Sequence, residues 1–252
     1  MFTESEAERY SRQTMLPDWG NEVQVKLKDA RVFIAGLGGL GSPVALYLAA
    51  AGVGHLGLLD KDVVELSNLQ RQLLHGTTDI KRAKTDSAEE RLKALNPTVS
   101  IDTFNLSLTE DNAPELIKDY DLVIDCLDQL KNKYMLNRAC VFTGKPLIHG
   151  GIDGFTGHLL STIIPGHTPC LNCVFPEELF KGSEERTIPA VGPVAGVIGS
   201  MMAMEAIDYI LEAEKEGPFL LRYDGRKQST RRINLPGKDN NCSICNSCSF
   251  NS

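Results

Sequence analysis

The apolar run Val32 to Ala35 leads directly into GLGGLG at Gly36 to Gly41, and Ser42-Pro43 then opens an Ala/Leu-rich stretch to Ala51. This order predicts a strand, a tight glycine turn and a helix, with Pro43 tolerated in the helix's first turn. The alternation continues downstream. A strand from His55 to Leu59 ends at Asp60, and a helical pattern from Asp79 to Leu95 stops before Pro97. Strands are expected near Val99 to Phe104, Leu122 to Cys126 and Pro146 to His149, with a helix near Leu130 to Phe142. Alternating strands and helices imply an α/β fold, a right-handed, doubly wound, Rossmann-like and mainly parallel sheet.

After Gly150-Gly151 the pattern changes. His158 to Ile164, Leu171 to Phe175, Phe219 to Tyr223 and Thr230 to Leu235 read as strands without intervening helices, an antiparallel extension of the sheet. Pro193 to Glu212 is the long apolar helix, and the polar stretch Glu177 to Pro189 reads as a mobile loop. At the start, Thr3 and Glu6 form a capping box for a helix to about Tyr10. The 252 residues fit one large domain, with 1–150 as a nucleotide-binding half and 151–252 as the antiparallel extension, a crossover loop and a cysteine-bearing tail.

Charge narrows the partners. With 26 Lys and Arg against 33 Asp and Glu the net charge is −7, which argues against a broad nucleic-acid footprint. The longest apolar stretch, Val194 to Ile207, is interrupted by Gly196, Gly199, Ser200 and Glu205, so no membrane span is expected. The opening MFTESEAERYSRQ lacks the basic start and apolar run of a secretory signal, which predicts a cytoplasmic location with reduced thiols.

In the glycine turn, Gly36, Gly38, Gly39 and Gly41 would let phosphate oxygens approach the backbone, and Asp60 could accept hydrogen bonds from ribose hydroxyls. Alone this indicates a nucleotide, with NAD as the default, or glycines that serve only a tight turn. The following DVVELSNLQRQ supplies Asn68, Arg71 and Gln72 just past the second strand. Lys84 starts the next helix and Asp128 follows the strand ending at Cys126. A triphosphate under attack needs cations on the departing charge and a carboxylate for magnesium. Arg71, Lys84 and Asp128 fit that need. Each also has a plainer reading: Arg71 and Lys84 as solvated helix charges, Asp128 as a helix N-cap.

Seven cysteines remain. Cys170, Cys173, Cys242 and Cys245 pair two distant Cys-x-x-Cys segments, the spacing of a closed structural zinc site, with unmetallated thiols or a redox dithiol as alternatives. Cys248 repeats the spacing as a surplus or exchangeable ligand. Cys126 and Cys140 read as core residues.

The chain resembles the ubiquitin-activating-type adenylyltransferases, most closely the MoeB/ThiF/HesA group. The resemblance is carried by SRQ at Ser11 to Gln13, GLGGLGSP at Gly36 to Pro43, LLDKDVVELSNLQRQ at Leu58 to Gln72, DCLD at Asp125 to Asp128, the paired Cys-x-x-Cys motifs and GPVAGVIGSMMAMEAI at Gly192 to Ile207. It implies a ThiF-type adenylation domain. Gly39 and its neighbours would lie against ATP phosphates, Asp60 would hold the ribose, Asn68, Arg71 and Lys84 would surround the phosphates, and Asp128 would bind magnesium. Arg12 matches an arginine that reaches into the partner subunit's active site, implying a homodimer. The implied reaction is attack by the C-terminal Gly-Gly carboxylate of a ubiquitin-like sulfur carrier on the α-phosphate of ATP. Pyrophosphate leaves, and an external sulfur donor acts on the acyl-adenylate, in molybdopterin, thiamine or related pathways.

Two departures stand out. Many relatives carry a cysteine in the loop ahead of the GPVAGVIG helix, but here that loop reads KGSEERTIPAV, so no thioester is expected there; Gln129 follows Asp128 where Asn is common. Competing readings are an NAD-dependent zinc oxidoreductase, a non-catalytic nucleotide-dependent binding partner, and an enzyme that adenylates a peptide or small-molecule carboxylate.

Overall fold

The computed structural model describes residues 2–180, 188–214 and 217–246. The N-terminal helix α1 (Glu4–Arg9) starts at the expected capping box: Glu6 N–H donates to Thr3 Oγ1 at 3.2 Å, and Thr3 N–H donates to the Glu6 carboxylate at 2.8 Å. Two helices follow, α2 (Ser11–Thr14) and α3 (Gly20–Asp29). The sequence pattern did not predict α3, because Val23, Val25 and Leu27 alternate with polar residues as a strand would.

Strand β1 (Arg31–Ala35), helix α4 (Gly41–Ala51) and strand β2 (His55–Leu59) form the expected unit around the glycine turn. The helix expected from Asp79 begins later, as α5 (Lys84–Leu95), after a short 3-10 turn at Thr77–Asp79. Lys81, in the left-handed region at φ 73°, breaks the run, while Lys81 N–H donates to Val64 O at 2.8 Å and Lys84 N–H to Asp62 O at 3.0 Å. Those bonds tie the segment to the chain after β2 and set Lys84 at the helix start.

The chain continues through β3 (Ser100–Phe104), α6 (Ala113–Ile117), β4 (Leu122–Asp125), α7 (Leu130–Thr143), β5 (Leu147–Asp153) and β6 (Thr156–Ile163). Then come α8 (Leu171–Val174), α9 (Gly192–Ile210), β7 (Phe219–Asp224) and β8 (Ser229–Asn234). All eight strands form one sheet in the order β3-β2-β1-β4-β5-β6-β7-β8. Pairings from β3 to β5 are parallel and those from β5 to β8 antiparallel.

Successive residues of β1 enter opposite layers: Val32 and Ile34 pack with α4 and α9 residues such as Leu48, Ile198 and Met202. Phe33 and Ala35 pack on the other face with Ile117, Leu136 and Val141 from α6 and α7.

One expected strand is corrected. Leu171 to Phe175 forms the helical turn α8, with Phe175 N–H donating to Leu171 O at 2.8 Å. Its start is fixed by Leu171 N–H donating to Asn137 Oδ1 at 3.0 Å, and the turn puts Cys170 and Cys173 on one side, three residues apart. Of the loop from Glu177 to Pro189, Glu177–Phe180 is a 3-10 turn; residues 181–187 lie outside the described residues, as does Cys248. Among the described residues no helix is long and apolar enough to cross a membrane.

Candidate functional site

The strand order reverses direction between β1 and β4, and open α/β sheets place ligands in the crevice beyond the carboxyl ends of the strands there. The glycine turn leaves β1 and the DCLD turn leaves β4 on the two sides of this crevice. Packing explains two of the glycines. Gly36 has φ 94°, and a Cβ there would lie 2.8 Å from Cys126 O; a Cβ on Gly41 would lie 2.0 Å from Gly36 O. Gly38 and Gly39 are different. A Cβ on Gly38 would meet only Gln72 Nε2, at 3.6 Å, and one on Gly39 would meet Ala195 Cβ at 3.3 Å and Arg71 Cγ at 3.5 Å. Gln72 and Arg71 therefore lie over the two middle glycines.

Asp60, at the end of β2, is pinned beside the turn: Leu37 N–H donates to its Oδ2 at 2.8 Å and Asp62 N–H to its Oδ1 at 2.9 Å. Each oxygen retains a lone pair for a hydroxyl. Lys84 is buried against this carboxylate, with Nζ 3.6 Å from Asp60 and 3.2 Å from Asp62. Asn68 Oδ1 accepts from Glu65 N–H at 3.1 Å, and Asn68 O accepts from Arg71 and Gln72 N–H at 3.1 and 3.0 Å. This turn aims Arg71 and Gln72 back toward the glycines. Arg71 donates one bond to Ser67 O at 3.1 Å. Gln72 Oε1, Ser42 Oγ and Thr85 Oγ1 are buried without a hydrogen-bond partner among the described residues; Ser42 follows the glycine turn, Thr85 follows Lys84 and Gln72 packs by Gly38.

Asp128 is exposed just beyond β4, and Arg12 is exposed on α2. Within one chain, among the described residues, neither forms an ion pair with the other candidates. Asp60, Asn68, Arg71, Gln72 and Lys84 are thus gathered on the β2 side of the turn, Asp128 stands on the β4 side, and Arg12 stands apart.

Sequence reasoning missed two histidine clusters. His75 donates from Nε2 to Leu37 O at 3.2 Å and accepts at Nδ1 from Ser87 Oγ at 2.9 Å, bracing the glycine turn from below. Burial lowers its pKa, which keeps that tautomer neutral. At the end of β4, Asp125 is fully buried and contacts His149, Lys133 and the backbone of the DCLD turn. Burial alone would raise Asp125, but the Lys133 ammonium and the His149 hydrogen bond hold it below the usual carboxylate range. The one sequence signal was the pair of acids three apart in DCLD.

The four sulfurs of Cys170, Cys173, Cys242 and Cys245 lie within 4.8 Å of one another, with separations of 3.8, 3.6 and 3.5 Å for the 170–173, 170–242 and 173–245 pairs. Tetrahedral zinc with Zn–S bonds of about 2.3 Å spaces its sulfurs about 3.8 Å apart, so the donor set fits that ion. Burial, and then the neighbouring sulfurs, push the Cys170 thiol up and Cys245 to about 12; a bound dication reverses that preference. Cys126 and Cys140 are buried and their thiols are pushed up by desolvation, in keeping with core roles.

With this geometry in place, comparison with known proteins defines the class: residues 10–244 match the ThiF family, and the chain belongs to that family. It is 40% identical over 249 residues to an adenylyltransferase and sulfurtransferase MOCS3 of Dictyostelium discoideum, covering 96% of this chain and 57% of that protein. The chain thus spans little more than half of that relative. A sulfur carrier protein adenylyltransferase of Thermus thermophilus is 39% identical over 251 residues, with 97% of this chain and 92% of that protein covered. Among solved structures, Escherichia coli MccB with ATP superposes with a TM-score of 0.83 at 26% identity, covering 94% of this chain and 74% of MccB.

Proposed function

We propose that this chain is an ATP-dependent adenylyltransferase that activates the C-terminal Gly-Gly carboxylate of a ubiquitin-like sulfur-carrier protein, for molybdopterin, thiamine or related sulfur transfer. The observation that carries the reading is the gathering of two cations, Arg71 against Gly39 and Lys84 beside Asp60, around the glycine turn at the sheet's switch point. A dinucleotide site has no need of it.

A carrier carboxylate oxygen attacks the α-phosphorus of ATP. The bond from that phosphorus to the oxygen bridging the β-phosphate breaks, and pyrophosphate leaves with the electron pair. Negative charge grows on the departing oxygens, where Arg71, Lys84 and Asn68 stabilise it, and alignment of the two reactants supplies much of the remaining acceleration. Gly38 and Gly39 admit phosphate to the backbone, with Gln72 beside them. Asp60 takes the ribose on its remaining lone pairs, and its bond to Leu37 N–H keeps it in register with the turn. An exposed carboxylate beside substrate phosphates is the usual donor set for magnesium, so Asp128 is assigned to hold it; the ion would neutralise phosphate charge. No side-chain nucleophile is required.

Arg12, exposed on α2, is assigned to a partner subunit's site in a homodimer. Residues 1–252 act as one adenylation domain, in which 1–150 bind nucleotide and 151–252 supply the sheet extension, crossover loop and zinc-binding tail. Zinc on the four thiolates would be closed to substrate and structural. That closed donor set disfavours the NAD-dependent oxidoreductase. Calorimetric titration separates the two: ATP with magnesium should bind and NADH should not, and NADH binding without ATP binding would overturn the assignment. Exchange driven by a short peptide but by no carrier would move the substrate to a peptide carboxylate.

A further inference from the structure

We propose that Asp125 is a positioning residue for the turn that presents Asp128, clamped in place by Lys133 and His149 with His158 behind them. This rests on the adenylyltransferase reading and adds a second layer to that same site.

Asp125 Oδ1 accepts Leu127 N–H at 3.0 Å and so closes the turn from which Asp128 departs. On the other side of that turn, a Cβ on Gly36 would lie 2.8 Å from Cys126 O and 3.2 Å from Leu127 N. The first glycine of the phosphate turn therefore rests on the peptide that Asp125 holds. One buried carboxylate fixes the direction of Asp128 and the seat of Gly36 together.

The clamp has a defined proton arrangement. His149 Nδ1–H donates to Asp125 Oδ2 at 2.7 Å, which leaves His149 Nε2 to accept from His158 Nε2–H at 3.2 Å. Lys133 Nζ lies 3.5 Å from both Asp125 oxygens and donates to Gly150 O at 3.1 Å. The ion pair thereby spans β4, α7 and β5. Burial and Lys133 lower His149, and burial followed by His149 lowers His158 to about 3, so both rings stay neutral. Phe175 packs on both rings, with centroids at 6.4 and 5.3 Å. A buried ion pair is a poor source of net stability, so the clamp's value lies in holding Asp125 on Leu127 N–H, the bond that closes the turn leading to Asp128.

The test is calorimetric binding of ATP at varied magnesium concentration, with an EDTA arm, in wild type, Asp125→Asn, Asp128→Ala and the double variant. Asp125→Asn should raise the half-saturating magnesium concentration about 10- to 100-fold. In its magnesium midpoint the double variant should match Asp128→Ala, because on that readout the first acts through the second, whereas an effect through the seat of Gly36 shows equally in the EDTA arm. His149→Asn, whose amide N–H stands where Nδ1–H does and so keeps a donor for Asp125, should keep the wild-type magnesium midpoint, and His149→Ala should shift it; this pair carries the test if Asp125→Asn does not fold. An unchanged midpoint in Asp125→Asn and His149→Ala, or full multiplication of the Asp125 and Asp128 effects, overturns the proposal. Wild-type protein that binds no ATP with or without magnesium overturns the adenylyltransferase reading itself.

Discussion

Arg71 has its aliphatic chain beside Gly39 and one of its guanidinium donors on Ser67 O, and among the described residues its other donors have no protein partner. Arg71→Ala and Asp128→Ala should each lower carrier-dependent ATP–pyrophosphate exchange by about 10²-fold or more, since on the proposed assignment each would remove one electrostatic contact from the reacting phosphates. Wild-type rates in both would remove the phosphate and metal assignments. Far from this site, Glu6 shows the same chemistry as a matter of stability. Its bonds to Lys28, 2.7 Å away, and to Thr3 lower its pKa from 4.5 to about 2. That stabilisation is present above pH 4.5, where the unfolded chain is also ionised, and is lost as pH falls through about 2. In urea unfolding, the stability gap between wild type and Glu6→Gln should be widest near neutral pH and shrink from pH 4.5 toward 2. A gap independent of pH would show that the carboxylate charge is not what the cap uses. Asp60 was legible because it ends the strand that follows the glycine turn, and Arg71 and Gln72 because they stand in the recognisable SNLQRQ run just past that strand. Asp125, His149, Lys133 and His158 were not, because they meet only when three neighbouring strands and a helix are assembled.

Elements with a strong period were legible, and those shaped by a ligand set or a short span were not. The βα unit at β1 and α4 announces itself through its glycines, whereas α6 has five residues and α3 carries a strand-like alternation. Helix α8 reads as a strand because LNCVF is short and apolar; its helical turn serves Cys170 and Cys173. Metal analysis of protein purified without chelator should find one zinc per chain. Stripping it should lower the thermal midpoint and increase hydrogen exchange around Cys242 and Cys245, because thiolate coordination couples that segment to α8. Protein without zinc would remove the claim. Cys248→Ser should leave the metal content intact, and loss of zinc in that variant would redraw the ligand set.

At the scale of the whole molecule, one continuous sheet joins the parallel strands around the glycine turn to the antiparallel extension. No cysteine lies in the stretch from Glu177 to Pro189, and Cys126 and Cys140 are buried with raised pKa values. On the proposed reading the chain should therefore form no thioester through that loop. Intact mass spectrometry after incubation with ATP and carrier should show no thiol-sensitive adduct; one on Cys126 or Cys140 would contradict their burial.

The most direct test of the central claim is exchange of labelled pyrophosphate into ATP, measured with magnesium and a ubiquitin-like carrier ending in Gly-Gly. Exchange that requires both the carrier and its terminal carboxylate, and that falls about 10²-fold or more in Arg71→Ala, is the predicted result. No exchange with any such carrier, from protein that binds NADH and not ATP, would contradict it.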